Sequence, residues 1–227
     1  MIYRTWTTID KRDAFSISVA GDGTGSVEAE AEIALARAVS EVEAAGLSRG
    51  HVVRSRLYAL DSVARQKASD IRRASLVGPL RGGSSSFIDK ERLPKGSRVI
   101  MELTAVRPLD SGAKKVIREY EPPLAPPMFV TLDGIVFLSG NTDESATFEA
   151  QLNAIRGKVD SSLTAAGTDL SKALVISAFM SKKVNIDAGR KAIAAKFGEA
   201  QCPITVTTVE GYSAGAKMIE IEVTARG

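Results

Sequence analysis

The chain has 227 residues, 44% of them hydrophobic, with 30 Lys and Arg against 27 Asp and Glu for a formal net charge of +3. That length serves one large domain or two of roughly 110 residues, and mixed-sign charge with only 5% aromatic residues argues against a nucleic-acid partner. One cysteine, Cys202, and one histidine, His51, exclude an intramolecular disulfide and a Cys/His metal cluster. The first residues, Met1 to Trp6, carry no basic segment before an apolar run, and no apolar stretch of about 18 residues occurs. A cytoplasmic protein with no membrane partner is expected.

In chain order, Phe15, Ile17 and Val19 alternate with polar neighbours as a strand should, and Gly21-Asp22-Gly23-Thr24-Gly25 reads as a turn. That turn lacks the later glycine of a dinucleotide-binding loop and follows no βαβ pattern, so no nucleotide cofactor is expected. A helix follows, capped by Ser26 and ended by Gly46, with Ile33, Leu35, Ala38, Val39 and Val42 near helical spacing. Next come a strand over 51–60, a helix over 62–77, and a closing strand pair containing 84–88 and 98–106. The segment 110–127 holds Lys114-Lys115, Pro122-Pro123 and Pro126-Pro127; repeated prolines favour an extended path, and it reads as a linker. Beyond it the spacing predicts a hairpin over 128–130 and 135–139, a helix over 148–166, a strand over 173–180, a helix over 186–197 and strands over 204–210 and 218–225.

The two stretches repeat each other. Ser40 to Gly46, with Val52-Val53 and Leu57-Tyr58 behind it, returns as Ser161 to Gly167 with Ala173-Leu174 and Ala178-Phe179 at the same distances. Met101-Glu102-Leu103-Thr104-Ala105 returns as Ile221-Glu222-Val223-Thr224-Ala225. Two matched blocks in register predict a tandem protein: one β-β-α-β-α-β-β unit over 1–109, the linker over 110–127, and a second unit over 128–227.

Several segments resemble the RidA (YjgF, reactive-imine deaminase) family: Leu132 to Asn141, Ala165-Ala166-Gly167, Cys202-Pro203 and Ile219 to Glu222 in the second copy, and Glu43 to Gly46, Asp61, Leu93 to Gly96 and Met101-Glu102 in the first. The resemblance implies an α+β fold, a chorismate-mutase-like mixed sheet with two helices on one face of each unit. It also implies small-molecule ligands and trimers with clefts between subunits. Three tandem chains would furnish six units, so a homotrimer is expected.

Deaminating members of that family grip a substrate carboxylate with an arginine two residues after the proline of the penultimate strand, where a guanidinium fork matches the carboxylate. Here the position is Thr205, and Ser85 in the first copy, so both copies lack the clamp. The family's glutamate near the end, which positions the attacking water, is Glu220, with Ile100 as its counterpart; the family's tyrosine position is Pro126. Arg190 falls where the family has a residue reaching into a neighbour's cleft, though an isolated helix arginine is ordinarily a surface residue. Gly82-Gly83-Ser84-Ser85-Ser86 offers hydroxyls and amides for a nucleophile or oxyanion site, with an ordinary serine-rich turn as the alternative. Its base is open, with His51, Lys95 and Lys217 as possibilities. Arg54 and Arg56 share a strand face and line an anion cleft or a solvated edge.

The candidate catalytic residues are therefore Glu220 and Ser85, and the candidate substrate contacts Thr205, Gly140, Asn141, Arg190, Ser84 and Ser86, with no metal and no cofactor. The expected activity is hydrolytic C–N cleavage of a small nitrogen-containing metabolite, of deaminase or amidohydrolase type. The alternative is a non-catalytic ligand-binding or regulatory interaction protein.

Overall fold

The alternating run Phe15, Ile17, Val19 lies on β2 (Arg12–Ala20), which pairs antiparallel with β1 (Ile2–Ile9). The two-residue turn between them has Asp10 and Lys11 both at positive φ, 46° and 70°, the geometry whose twist matches a hairpin. The structure is a computed structural model and describes residues 1–122 and 126–227; Pro123, part of the expected linker, lies outside them.

After this hairpin, α1 (Val27–Ala44) starts where the Ser26 hydroxyl accepts from the Ala29 amide at 3.1 Å, and Gly46 at φ 74° turns the chain away. Strand β3 (Val52–Ala59) leads to α2 (Ser62–Ser75), capped by Asp61 accepting from the Ala64 amide at 2.8 Å. Then come β4 (Gly83–Ile88) and β5 (Val99–Val106). The sheet order is β1-β2-β5-β3-β4, with only β3 and β4 parallel. The expected closing pair is thus not a hairpin: the helical crossover through α2 sets β4 beside β3, and β5 inserts between β2 and β3.

The second half repeats this plan. Its hairpin is β7 (Phe129–Leu132) and β8 (Ile135–Leu138), joined through Asp133 and Gly134 at positive φ. A short β9 (Asn141–Thr142) precedes α3 (Phe148–Ala165), β10 (Ala173–Ser181), α4 (Ile186–Phe197), β11 (Ile204–Val209) and β12 (Ile219–Arg226). The order is β11-β10-β12-β8-β7, with β9 beside β12. Within the segment expected to be a linker, Val116–Arg118 forms β6, an edge strand antiparallel to β7. The repeat is exact in register where it matters for the site: Arg56 pairs with both Ser85 and Glu102, as Ser177 pairs with both Thr205 and Glu222.

Each sheet carries its helix pair on one face. Leu35, Val42, Leu57, Met101 and Leu103 build the first core, and Leu152, Ile155, Val159, Ile176, Phe197 and Ile221 the second. The opposite faces meet each other. Tyr58 and Phe87 of the first half pack with Phe179 and Tyr212 of the second, the Phe87 and Phe179 rings 4.3 Å apart, and Val53 and Val106 pack with Leu132, Ile135 and Phe137. Burial of each such aromatic contributes about 1.5–3 kcal/mol, before entropy is counted. Strand β4 is stitched to the second half at both ends: Ile88 exchanges amide hydrogen bonds of 2.9 Å with Glu210 and Gly211, and the Gly140 amide donates to Ser84 O at 3.3 Å. The chain therefore places β4, with its serines, directly against β8 and β12.

Candidate active site between the halves

Glu220 and Glu222 are two residues apart on β12 and point to one face, toward β3 and β4 of the first half. Their surroundings divide them. Glu222 is buried, which by itself disfavours its charge, but the Arg56 and Arg54 guanidiniums and the Arg56 hydrogen bond outweigh burial and hold its pKa down at about 2. Arg56 Nη2 reaches Glu222 Oε2 at 2.6 Å while its Nη1 reaches Glu102 at 2.8 Å, and Arg54 Nε lies 3.3 Å from Glu222. Arg54 also donates to Leu138 O at 3.1 Å and Val223 O at 3.3 Å. Neither arginine is on a solvated edge, and both are already paired across the interface.

Glu220, also buried, has no such partner. Burial is the main cause that pushes its pKa up to about 8, and the neighbouring Glu222 charge pushes the same way; the Ser85 hydrogen bond, Lys217 and Arg72 act in the opposite sense without overcoming them. At neutral pH Glu220 is a carboxylic acid beside an ionised carboxylate, the division of labour that lets one site hold a proton donor and a fixed negative charge. The Ser85 hydroxyl stands between them and donates to Glu222 Oε1 at 2.6 Å. Gly140 makes the approach possible: a Cβ there would lie 1.8 Å from Glu220 Oε1 and 2.5 Å from Ser85 Oγ.

These groups open onto a cavity of about 240 Å³ between α2, β4 and the second half. Ser84, Ser85, Ser86, Gly140 and Glu220 all line it, as does Pro126. Asn141 lies in an adjoining hollow, its amide donating to Ser139 O at 2.9 Å. Two expected contacts are elsewhere. Thr205 is exposed on β11, the far edge of its sheet, with its hydroxyl 3.4 Å from Ile176 O, and Arg190 is exposed on the outer side of α4. Sequence position equates Thr205 with Ser85, but only β4 is sandwiched between the halves. The residues that line this cavity all come from one chain.

Of the possible bases, Lys217 lines the cavity, whereas Lys95 is exposed and His51 sits in a short turn where its Nδ1 accepts from the Ser48 amide. Residues that sequence reasoning passed over are on α2. Arg65, Ser69 and Arg72, spaced four and three apart, form one stripe of that helix and line the cavity together with Leu76, which follows its last turn. Arg72 is buried and donates through Nη1 to Ser85 O at 2.6 Å and through Nη2 to Ser86 Oγ at 2.7 Å, so it holds the serine strand in place. Among the described residues, no group of three His, Cys, Asp or Glu is arranged to hold a metal, and no helix is long and apolar enough to cross a membrane.

No family profile and no curated protein matches the sequence. Among solved structures, a chorismatase aligns over 98% of this chain and 77% of its own, with TM-score 0.61 at 12% identity. A YjgF/YER057c/UK114 family member from Mycobacterium tuberculosis covers 50% of this chain with 100% of its own length (TM-score 0.45, 17% identity). A Rid-family protein from Yersinia pestis covers 50% with 99% of its length (TM-score 0.43, 22% identity). The fold is α+β, two halves of one plan in a single chain, and the chorismatase shares it across nearly the whole length.

Proposed function

We propose that the chain is an enzyme of hydrolase type that cleaves a C–N bond in a small nitrogen-containing metabolite bound between its two halves, with Glu220 as general acid. The observation that carries this reading is Glu220 buried at the wall of an inter-half cavity, with burial pushing its pKa up to about 8 while the Arg56 and Arg54 guanidiniums hold that of neighbouring Glu222 down. A proton donor whose pKa lies near the working pH is the efficient choice for protonating a leaving nitrogen. Water adds to the substrate carbon, Glu220 delivers its proton to nitrogen as the C–N bond breaks, and the resulting carboxylate takes back the proton of the added water. Ser85 is a positioning hydroxyl here: its proton is already donated to Glu222, which at a pKa of about 2 is too weak a base to make the serine a nucleophile.

Amides and imines are the first compounds to test, and the chorismatase fold neighbour adds cyclic organic acids such as chorismate, whose turnover would replace C–N cleavage with another hydrolysis. A panel of these, followed by product detection with the wild type and Glu220→Gln, decides the reading. Turnover that disappears in Glu220→Gln supports it, and turnover that survives removes the acid. A ligand-binding protein without chemistry is favoured by one feature, the lack of the carboxylate-gripping arginine at Ser85 and Thr205; ligands that stabilise the protein yet are never consumed would establish it. The assembly we infer is a cytoplasmic homotrimer, supported by the exposed Tyr3 and Trp6 on edge strand β1.

A further inference from the structure

We propose that the α2 end of the cavity, bounded by Arg65, Arg72 and Ser55, is a subsite for a doubly negative group, so that the natural ligand is a small organic dianion. This inference rests on the cavity being the active site only for its orientation: the dianion docks on α2 while the reacting group faces Glu220.

The motivating fact is a set of buried polar groups with nothing to bind. Arg65 is 8% exposed, donates through Nη2 to the Gln66 side chain at 2.9 Å, and has no partner for Nε among the described residues. Ser55, on β3, is 2% exposed and its hydroxyl also has no partner among the described residues. Both line the cavity. Buried donors are ordinarily satisfied, and each exception asks for an explanation such as a missing ligand. Two other arginines of the same wall are paired, Arg73 with Asp70 at 2.9 Å and Arg81 with Glu119 at 2.6 Å. Only the two buried ones have no ion pair among the described residues.

Charge sets the valence of the occupant. Burial, opposed by the Glu220 carboxyl and assisted by the Arg65 charge, brings the pKa of Arg72 down to about 10, and both guanidiniums remain cationic at neutral pH. Glu220 is uncharged there, and Glu222 is taken by Arg54 and Arg56. Arg65 and Arg72 are thus two cations on one wall of the cavity without an ion pair among the described residues, and a group with two negative charges matches them. A cavity of about 240 Å³ is smaller than the roughly 300–1,000 Å³ of drug-sized sites. Dicarboxylates and phosphate monoesters share the required chemistry.

Calorimetric titration of the full chain with succinate, inorganic phosphate and acetate tests the subsite. Succinate or phosphate is expected to bind at least about tenfold more tightly than acetate; succinate alone marks a dicarboxylate site, phosphate alone a phosphate ester site. Arg65→Met is expected to weaken the dianion at least about tenfold, and to unfold at a higher temperature than the unliganded wild type because an unpaired buried charge is gone. Ser55→Ala weakens it to a lesser degree, and Glu220→Gln retains it. Dianions that bind no better than acetate, or equally well to Arg65→Met, overturn the subsite. Its failure is separable from failure of the Glu220 mechanism, because turnover in Glu220→Gln refutes the latter whatever the titrations give.

Discussion

Gly140→Ala is the most direct structural perturbation of the site. Gly140 does not have a positive φ, so alanine is acceptable to the backbone and the effect comes from the added methyl alone. That methyl starts 1.8 Å from Glu220 Oε1 and 2.5 Å from Ser85 Oγ, against an ordinary contact of 3.4 Å; the carboxyl must retreat by about 1.6 Å and the hydroxyl by about 0.9 Å. Neither has free room, because Glu220 is packed in a buried site and Ser85 is tied to Glu222. Overpacking of this kind costs about 1–3 kcal/mol, and a displacement of about 1 Å in a reacting group lowers turnover about 100-fold. Urea denaturation of a cycle of variants reads the effect without a substrate. The cost of Gly140→Ala is expected near 3 kcal/mol in the wild type, near 1 kcal/mol in Glu220→Ala, and within about 0.5 kcal/mol in Glu220→Ala/Ser85→Ala. An equal cost in all three backgrounds would mean that the glycine serves something other than the carboxyl, and the geometry of the site would be wrong.

Three further outcomes follow from the same contacts. Glu220 has a folded pKa of about 8 against an ordinary 4.5, so the folded protein keeps a proton that the unfolded chain releases; stability therefore falls as pH rises from about 4.5 through 8, by up to about 1.4 kcal/mol per pH unit. Glu220→Gln removes that slope while keeping the acid-side loss, as pH falls through about 2, that belongs to Glu222; a slope unchanged by the substitution would contradict the assignment. Arg56→Met leaves Glu222 with Arg54 alone and Glu102 with Arg92 at 3.6 Å, and is expected to destabilise by about 3–5 kcal/mol in urea, where a loss under about 1 kcal/mol would speak against a tight ionic interface. Thr205→Ala and Arg190→Ala should each leave stability within about 0.5 kcal/mol and turnover unchanged, and a large loss from either would bring its strand or helix back into the site.

Much of the fold is legible because the relevant forces are local. Ser26 as a helix cap, Gly46 as a stop and the apolar spacing of α1 sit within a few residues of one another, and 186–197 marks α4 without error. Strand β1 is harder to read because six of its eight residues are exposed, which erases alternation. Insertion of β5 between β2 and β3 is a pairing of distant segments that periodicity cannot convey. Glu220 is reached in the sequence through the family resemblance and Ser85 by carrying the arginine position into the first copy; the structure sets both on the wall of one cavity. Arg65 and Arg72 are not legible in the sequence, because polar residues on a helix ordinarily face water, whereas here they line the cavity, Arg72 reaching Ser85 and Ser86 of β4. Thr205 shows the converse: the repeat equates it with Ser85, yet the two strands have different neighbours.

Difference infrared spectroscopy in heavy water, comparing the wild type with Glu220→Gln, measures directly whether the acid carries its proton. At neutral pD the wild type should show the carbonyl band of a protonated carboxyl that is absent from the variant and fades with a midpoint near 8. A wild type without that band, its Glu220 already ionised at neutral pD, would leave the cleft without its general acid.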